Sequence, residues 1–181
     1  MTAEIKHLTI AELEAGLDKI RQSPKQNGTL AMLVRRPQTE QREILEEGAL
    51  SIEEGLVGDN WKTRNSPPNL ETQLTVMNAR AIAHIAQDKD RWHLAGDQLF
   101  VDLDIGEDNL PPGTKLSIGS AIIAVTAEPH NGCKKFVSRF GLDAMHFVNS
   151  PVGKQLHLRG INAKVIQPGH IRVGDVVKKL S

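Results

Sequence analysis

The sequence predicts a mostly β fold, a compact barrel with helices appended at its periphery. Three observations lead there: six short apolar or alternating runs, dense turn chemistry between them, and helical periodicity confined to a few places. The runs at 29–35 (TLAMLVR), 73–77 (QLTVM), 98–105 (QLFVDLDI), 121–127 (AIIAVTA), 161–166 (INAKVI) and 175–178 (DVVK) read as strands. Pro111-Pro112-Gly113 and Ser117-Ile118-Gly119-Ser120 supply turns on either side of one segment, and Pro168-Gly169-His170 with Val173-Gly174-Asp175 on either side of another. Many short strands at this spacing suit a barrel or a folded sheet.

In chain order, Thr9-Ile10-Ala11-Glu12 forms a capping box, with Leu8 and Leu13 placed as its hydrophobic staple. A helix is expected from Ile10, with Ile10, Leu13, Leu17 and Ile20 on one face and the polar stretch 22–28 ending it. Residues 60–71 (NWKTRNSPPNLE) read as an exposed loop. Asn78 is a candidate N-cap for a helix over 79–87, and further helices are expected at 142–148 and 152–158. There is no internal repeat and no low-complexity tract.

Composition narrows the function. At 181 residues the chain has the size of one ordinary domain. Its 22 Lys and Arg balance 22 Asp and Glu, so no bulk charge favours nucleic acid or anionic lipid, and any anion site must be a local cluster. One cysteine makes no intrachain disulfide, and the first twenty residues lack a signal-peptide core, so a cytoplasmic location is expected. No run approaches the roughly 18 apolar residues of a membrane span, and no membrane association is expected.

The lone Cys133 follows the strand at 121–127 through Glu128-Pro129-His130-Asn131-Gly132, which places it on a tight turn at a strand end. Gly132 removes bulk beside the sulfur, while His130, Lys134, Lys135 and Arg139 favour the thiolate, the reactive nucleophile and soft-metal ligand. The plainer alternative is a small buried hydrophobe. His130 and Cys133 fall short of a structural zinc site, which needs four ligands, and nothing selects one histidine for a Cys-His hydrolase.

The run Glu128-Pro129-His130-Asn131-Gly132-Cys133-Lys134-Lys135-Phe136, followed by Arg139-Phe140-Gly141, resembles the cysteine motif of MOSC domains, named for the C-terminal domain of molybdenum cofactor sulfurase. Gly55-Leu56-Val57-Gly58-Asp59 is similar to that family's upstream GLxGD element, and Gly96-Asp97-Gln98-Leu99-Phe100-Val101-Asp102-Leu103 to its central strand. Leu110-Pro111-Pro112-Gly113-Thr114, Leu158-Arg159-Gly160-Ile161 and Gly169-His170-Ile171-Arg172-Val173-Gly174-Asp175 continue the likeness, in order, over about residues 29–178. The resemblance implies a MOSC-type β-barrel over 29–181, standing alone behind an N-terminal helix and linker at 1–28. It also implies a role with molybdenum cofactor: ligation of molybdenum by Cys133, or carriage of sulfur on it.

Molybdopterin carries a phosphate and a flat heterocycle, which call for cationic and polar partners. Cys133 and His130 are therefore the expected reactive pair, with Lys134, Arg139, Asp59, Arg35, Arg36 and Arg159 as candidate cofactor-binding residues. Expected ligands are a small-molecule cofactor or oxyanion. Where many members follow the GLxGD element with a histidine and paired glycines, this chain has Asn60-Trp61-Lys62-Thr63-Arg64, so a different ligand or a completing partner is an open alternative. Reduction or sulfur transfer would draw on a separate redox or sulfur-donor protein, since no flavin or iron-sulfur pattern is present. No lysine stands out for covalent attachment of pyridoxal phosphate. The alternative from another class is a non-catalytic carrier or interaction module with a structural cysteine.

Overall fold

The computed structural model describes residues 5–180; residues 1–4 and 181 of the two expected segments lie outside them. Thr9 caps α1 (Ile10–Glu14) with the full reciprocal box: its hydroxyl accepts from the Glu12 amide at 3.3 Å, and the Glu12 carboxylate accepts from the Thr9 amide at 3.2 Å. The expected single helix is broken, and α2 (Leu17–Arg21) begins after Ala15-Gly16. His84 explains the break. Its Nε2 lies 2.8 Å from the Glu12 carbonyl, the acceptor a continuing helix would offer to Gly16, and the ring presses so close that a Cβ at Gly16 would sit 2.4 Å from it. Leu13 and Ile20 are buried, whereas Ile10 points out and its amide donates to Asp143.

The chain continues through β1 (Asn27–Arg35), β2 (Glu43–Leu45), β3 (Glu47–Ser51), β4 (Gly55–Leu56), α3 (Trp61–Arg64), β5 (Leu74–Asn78), α4 (Ala79–Ala86) and β6 (Leu99–Asp102). It ends with β7 (Lys115–Ile118), β8 (Ala121–Val125), α5 (Lys134–Phe140), α6 (Leu142–Asn149), α7 (Pro151–Gln155), β9 (Ile161–Gln167), β10 (Gly169–Arg172) and β11 (Val176–Lys179). Seven strands close a ring in the order β11-β7-β8-β9-β5-β6-β1, sealed where β1 returns to β11, and β2 extends β1 outside the ring. A small second sheet holds β10-β3-β4.

Every pair in the ring is antiparallel except β5 with β6. That parallel pair needs a crossover, supplied by α4 and the 3-10 segment Lys89–Ala95. Asn78 caps α4 as expected, its side chain accepting from the Ala81 amide at 2.8 Å.

Two apolar clusters result. One fills the barrel, with Leu30, Leu33, Val76, Val101, Leu116, Ile123 and Val177 among its members. The other lies between β1, β5, β6 and the helices, with Met32, Val34, Met77, Phe100, Ile82 and Phe147. Strands buried on both faces read as unbroken apolar runs, which is why TLAMLVR shows no alternation. In β1 a register shift between Leu30 and Met32 adds to this: Ala31 and Met32 both face the helices before Leu33 returns to the barrel.

Other expectations are adjusted. Gly169–Arg172 is a strand rather than only a turn, pairing with β3, and Ser117-Ile118 completes β7. The 60–71 loop carries the short α3, and its Trp61 is buried although most of its neighbours are exposed. Among the described residues no helix is long and apolar enough to cross a membrane.

Candidate functional site

Cys133 stands where β8 hands over to α5. The connecting loop is tied from two sides: Asn162 of β9 donates to the Glu128 carbonyl at 3.0 Å, and Asn149 of α6 accepts from the Gly132 amide at 2.9 Å. Cys133 lies in the strand-end connection where it was expected, and it takes the N-cap position of a helix the sequence reading did not include, α5. Phe136 and Phe140, one turn apart and both buried, face each other at 5.0 Å between ring centroids and fix α5 against the second core.

The thiol is exposed. Partial burial pushes its pKa up, but the Phe136 and Lys135 amides and then the Arg159 and Arg139 guanidiniums outweigh this, and the net shift is downward. The sulfur makes no capping hydrogen bond of good geometry, so the amides act by proximity and by the dipole of the first turn.

A cavity of about 390 Å³ opens beside it, lined by Arg36, Arg42, Arg64, Lys135, Arg139 and Arg159 together with His130, Asn162, Thr75 and, among the described residues, a single carboxylate, Glu40. Arg36 is held from behind by Asp59, which accepts from its Nε at 3.0 Å, its Nη2 at 2.8 Å and its amide at 2.8 Å. Arg159 is held by Asp97 and by the Ala95 carbonyl, and its guanidinium lies 5.1 Å from the Phe136 ring. Glu40 bridges Lys135 at 2.9 Å and Arg139 at 3.0 Å. Arg42 and Arg64 have no ion-pair partner among the described residues. Both have pKa values lowered, first by burial and then by neighbouring guanidiniums, the mark of cations gathered with too little counter-charge.

His130 lies on the wall between this cavity and a second one of about 440 Å³, which also shares Pro129 and Arg159. Burial, then the charge of Arg159, pushes the His130 pKa down to about 4 against the opposing pull of Asp97.

Of the sequence-derived candidates, Cys133, His130, Arg36, Arg139 and Arg159 meet at this cavity. Asp59 stands behind Arg36 as its counter-ion. Arg35 turns away to Glu43 at 2.9 Å, and Lys134 sits on the exposed first turn of α5 outside the cavity lining. Lys135, expected only to favour the thiolate, also lines the cavity, as does Arg64 of the stretch expected to be an exposed loop, whereas Arg42 and Glu40 are additions of the structure. Lys135 lies within the cysteine motif, so the helical spacing of Phe136 and Phe140 was the signal for its placement; for Arg42 and Glu40 the sequence offers none.

A seven-stranded barrel with a thiol at a helix start and a cationic cavity beside it defines the class. The MOSC domain model matches residues 69–178, and the chain belongs to the MOSC domain family. Among solved structures it is similar to YiiM from Escherichia coli, with 20% identity and a TM-score of 0.56 over 84% of this chain and 70% of that one. It is also similar to the YuaD protein from Bacillus subtilis, with 15% identity and a TM-score of 0.57 over 83% and 94% of the two chains. YiiM from Geobacillus stearothermophilus aligns at 14% identity and a TM-score of 0.58, covering 85% and 75%. At these identities the likeness is one of fold. No curated protein matches the sequence.

Proposed function

We propose that this protein binds molybdenum cofactor in the cationic cavity, with Cys133 as the protein's ligand to the metal. The observation that carries the proposal is an exposed, thiolate-favouring cysteine on the rim of a cavity lined, among the described residues, by six cationic side chains and one carboxylate. Among the described residues no cluster of three or more His, Cys, Asp or Glu side chains could hold a metal ion. A metal here would bring its own ligands, as the cofactor's dithiolene does, and Cys133 would add its thiolate as the protein's ligand. When bound, the cofactor supplies a redox-active centre.

The chain's own residues do the rest. Arg42 and Arg64, short of counter-charge, suit the phosphate. Arg36 and Arg159, fixed from behind, give rigid N–H directions, while Asn162 and Thr75 offer polar contacts to a heterocycle. A second use of the same thiol is favoured by its exposure: the Cys133 thiolate can attack the outer sulfur of a donor protein's persulfide, forming the new S–S bond as the donor's S–S bond breaks and its thiolate leaves, and carry that sulfur as a persulfide.

The test is elemental analysis and intact mass of protein made in a cofactor-producing host, for the wild type and Cys133→Ser. Stoichiometric molybdenum in the wild type that is lost in the variant is the expected result. Molybdenum retained in Cys133→Ser would remove the cysteine as ligand. A sulfur adduct on a metal-free wild type would favour carriage, and neither metal nor adduct would sink both readings.

A further inference from the structure

Asp97 is completely buried just before β6, and its two carboxylate oxygens are treated differently. Oδ1 accepts from Arg159 Nη1, whereas Oδ2 is buried and accepts no hydrogen bond among the described residues. Nδ1 of His130, likewise buried and without a partner among the described residues, faces that oxygen at 3.7 Å. Gly160 makes the approach possible. Its backbone takes φ +125°, and a Cβ there would lie 2.8 Å from Asp97 Oδ2 and 3.2 Å from His130 Nδ1.

We propose that Asp97 is the positioning residue of this site: it holds His130 in the tautomer with its proton on Nδ1, so that the imidazole offers Nε2, a proton acceptor, to the cavities it lines. A neutral imidazole has one donor and one acceptor nitrogen, and its neighbours choose between them. With the lone pair on Nδ1, two acceptors would oppose each other across a water-poor gap. A proton on Nδ1 turns the same proximity into attraction and brings 3.7 Å within one small rotation of a hydrogen bond.

Arg159 provides the rival arrangement. Its Nε is also buried and without a partner among the described residues, and if it donated to His130 Nδ1 it would force the proton onto Nε2. That choice leaves Asp97 Oδ2 unsatisfied in the interior, the costlier orphan because it carries charge. With the ring neutral above about pH 4, the tautomer holds through the physiological range.

The consequence concerns the ligand. Whatever seats against His130 meets a lone pair, so a ligand offering N–H or O–H at that point is accepted, and a bare oxyanion oxygen is directed instead to the arginines. This last step rests on the cavity being the ligand site, whereas the tautomer itself does not.

Long-range nitrogen-proton NMR of the His130 ring in the ligand-free wild type at neutral pH reads the tautomer directly. A pyrrole-like Nδ1 with a pyridine-like Nε2 is expected; the reverse pattern, or an even mixture, would overturn the proposal. In Asp97→Asn, with folding checked by the amide spectrum, the ring should move toward the other tautomer, and an unchanged ring would remove Asp97 as the cause. Should that variant not fold, Arg159→Lys, which lacks an Nε donor, decides between the rivals: the ring signals stay in place if Asp97 governs and invert if Arg159 does. Absence of molybdenum from the purified protein would count against the cofactor reading and leave these spectra untouched.

Discussion

Asn149 does its work through one amide group, accepting from Gly132 next to the cysteine and returning a longer bond to the Gly132 carbonyl at 3.4 Å. Asn149→Ala should therefore cost about 1–3 kcal/mol by leaving that amide unsatisfied. It should also raise the Cys133 thiol pKa as the loop drifts from the α5 amides, which alkylation rate against pH would record; an unchanged titration would mean that the loop holds without this tie. Glu40 acts in the opposite sense, as a resident anion. Its carboxylate occupies Lys135 and Arg139 and has its pKa lowered, first by the hydrogen bond from Lys135. Glu40→Gln should tighten molybdate or phosphate binding in calorimetric titration, whereas Arg139→Lys should weaken it by roughly 1.5–3 kcal/mol. Equal affinities across the three proteins would take α5 out of anion binding.

His130 links the site to acid stability. Its folded pKa of about 4 lies below the ordinary value of 6.5, so the unfolded chain takes up a proton that the folded one refuses. Stability from this group is complete above pH 6.5 and falls as pH drops toward about 4, by roughly 3 kcal/mol in all. In His130→Gln that slope should vanish from urea midpoints measured across this window.

At the scale of elements, α5 shows why some of the architecture was legible in the sequence and some was not. The caps of α1 and α4 and the six apolar strands announce themselves through local chemistry, since a capping box or a run such as AIIAVTA means the same wherever it falls. KKFVSRF does not. Its basic residues read only as charge beside the thiol, and its one helical signal, Phe136 and Phe140 a turn apart, gains meaning only from the second core into which both pack. The break between α1 and α2 was hidden for the same reason, because it depends on His84, which lies far along the chain. Within the site, motif residues identified Cys133, His130 and Arg159, but which cations stay short of counter-charge is decided by strands and loops distant in sequence. The N-terminal helices invite a test of their own: Leu13→Ala, deleting a fully buried side chain from the second core, should cost about 2–5 kcal/mol. Thiol alkylation of the folded fraction should be unaffected; its loss would make these helices part of the site.

For the whole molecule the decisive contact is the seam, where Asn27 pairs with Lys178 and Gly28 with Val177 to close the ring. Segments from nearly opposite ends of the described chain meet there, and Val177 is fully buried. Contacts of such sequence separation form only after a large loss of chain entropy, so the barrel belongs among slow folders, on the scale of milliseconds to seconds. Val177→Ala should lower stability by about 1–3 kcal/mol. If closing the seam is part of the folding barrier, as that entropy cost implies, the loss should slow refolding in stopped-flow kinetics; a change confined to the unfolding rate would place seam closure after the transition state. During synthesis the cysteine leaves the ribosome well before β11 does, and for that interval the nascent chain carries a thiol without the finished barrel around it. On the function proposed above, loading with metal or with sulfur would wait for β11 to close the ring.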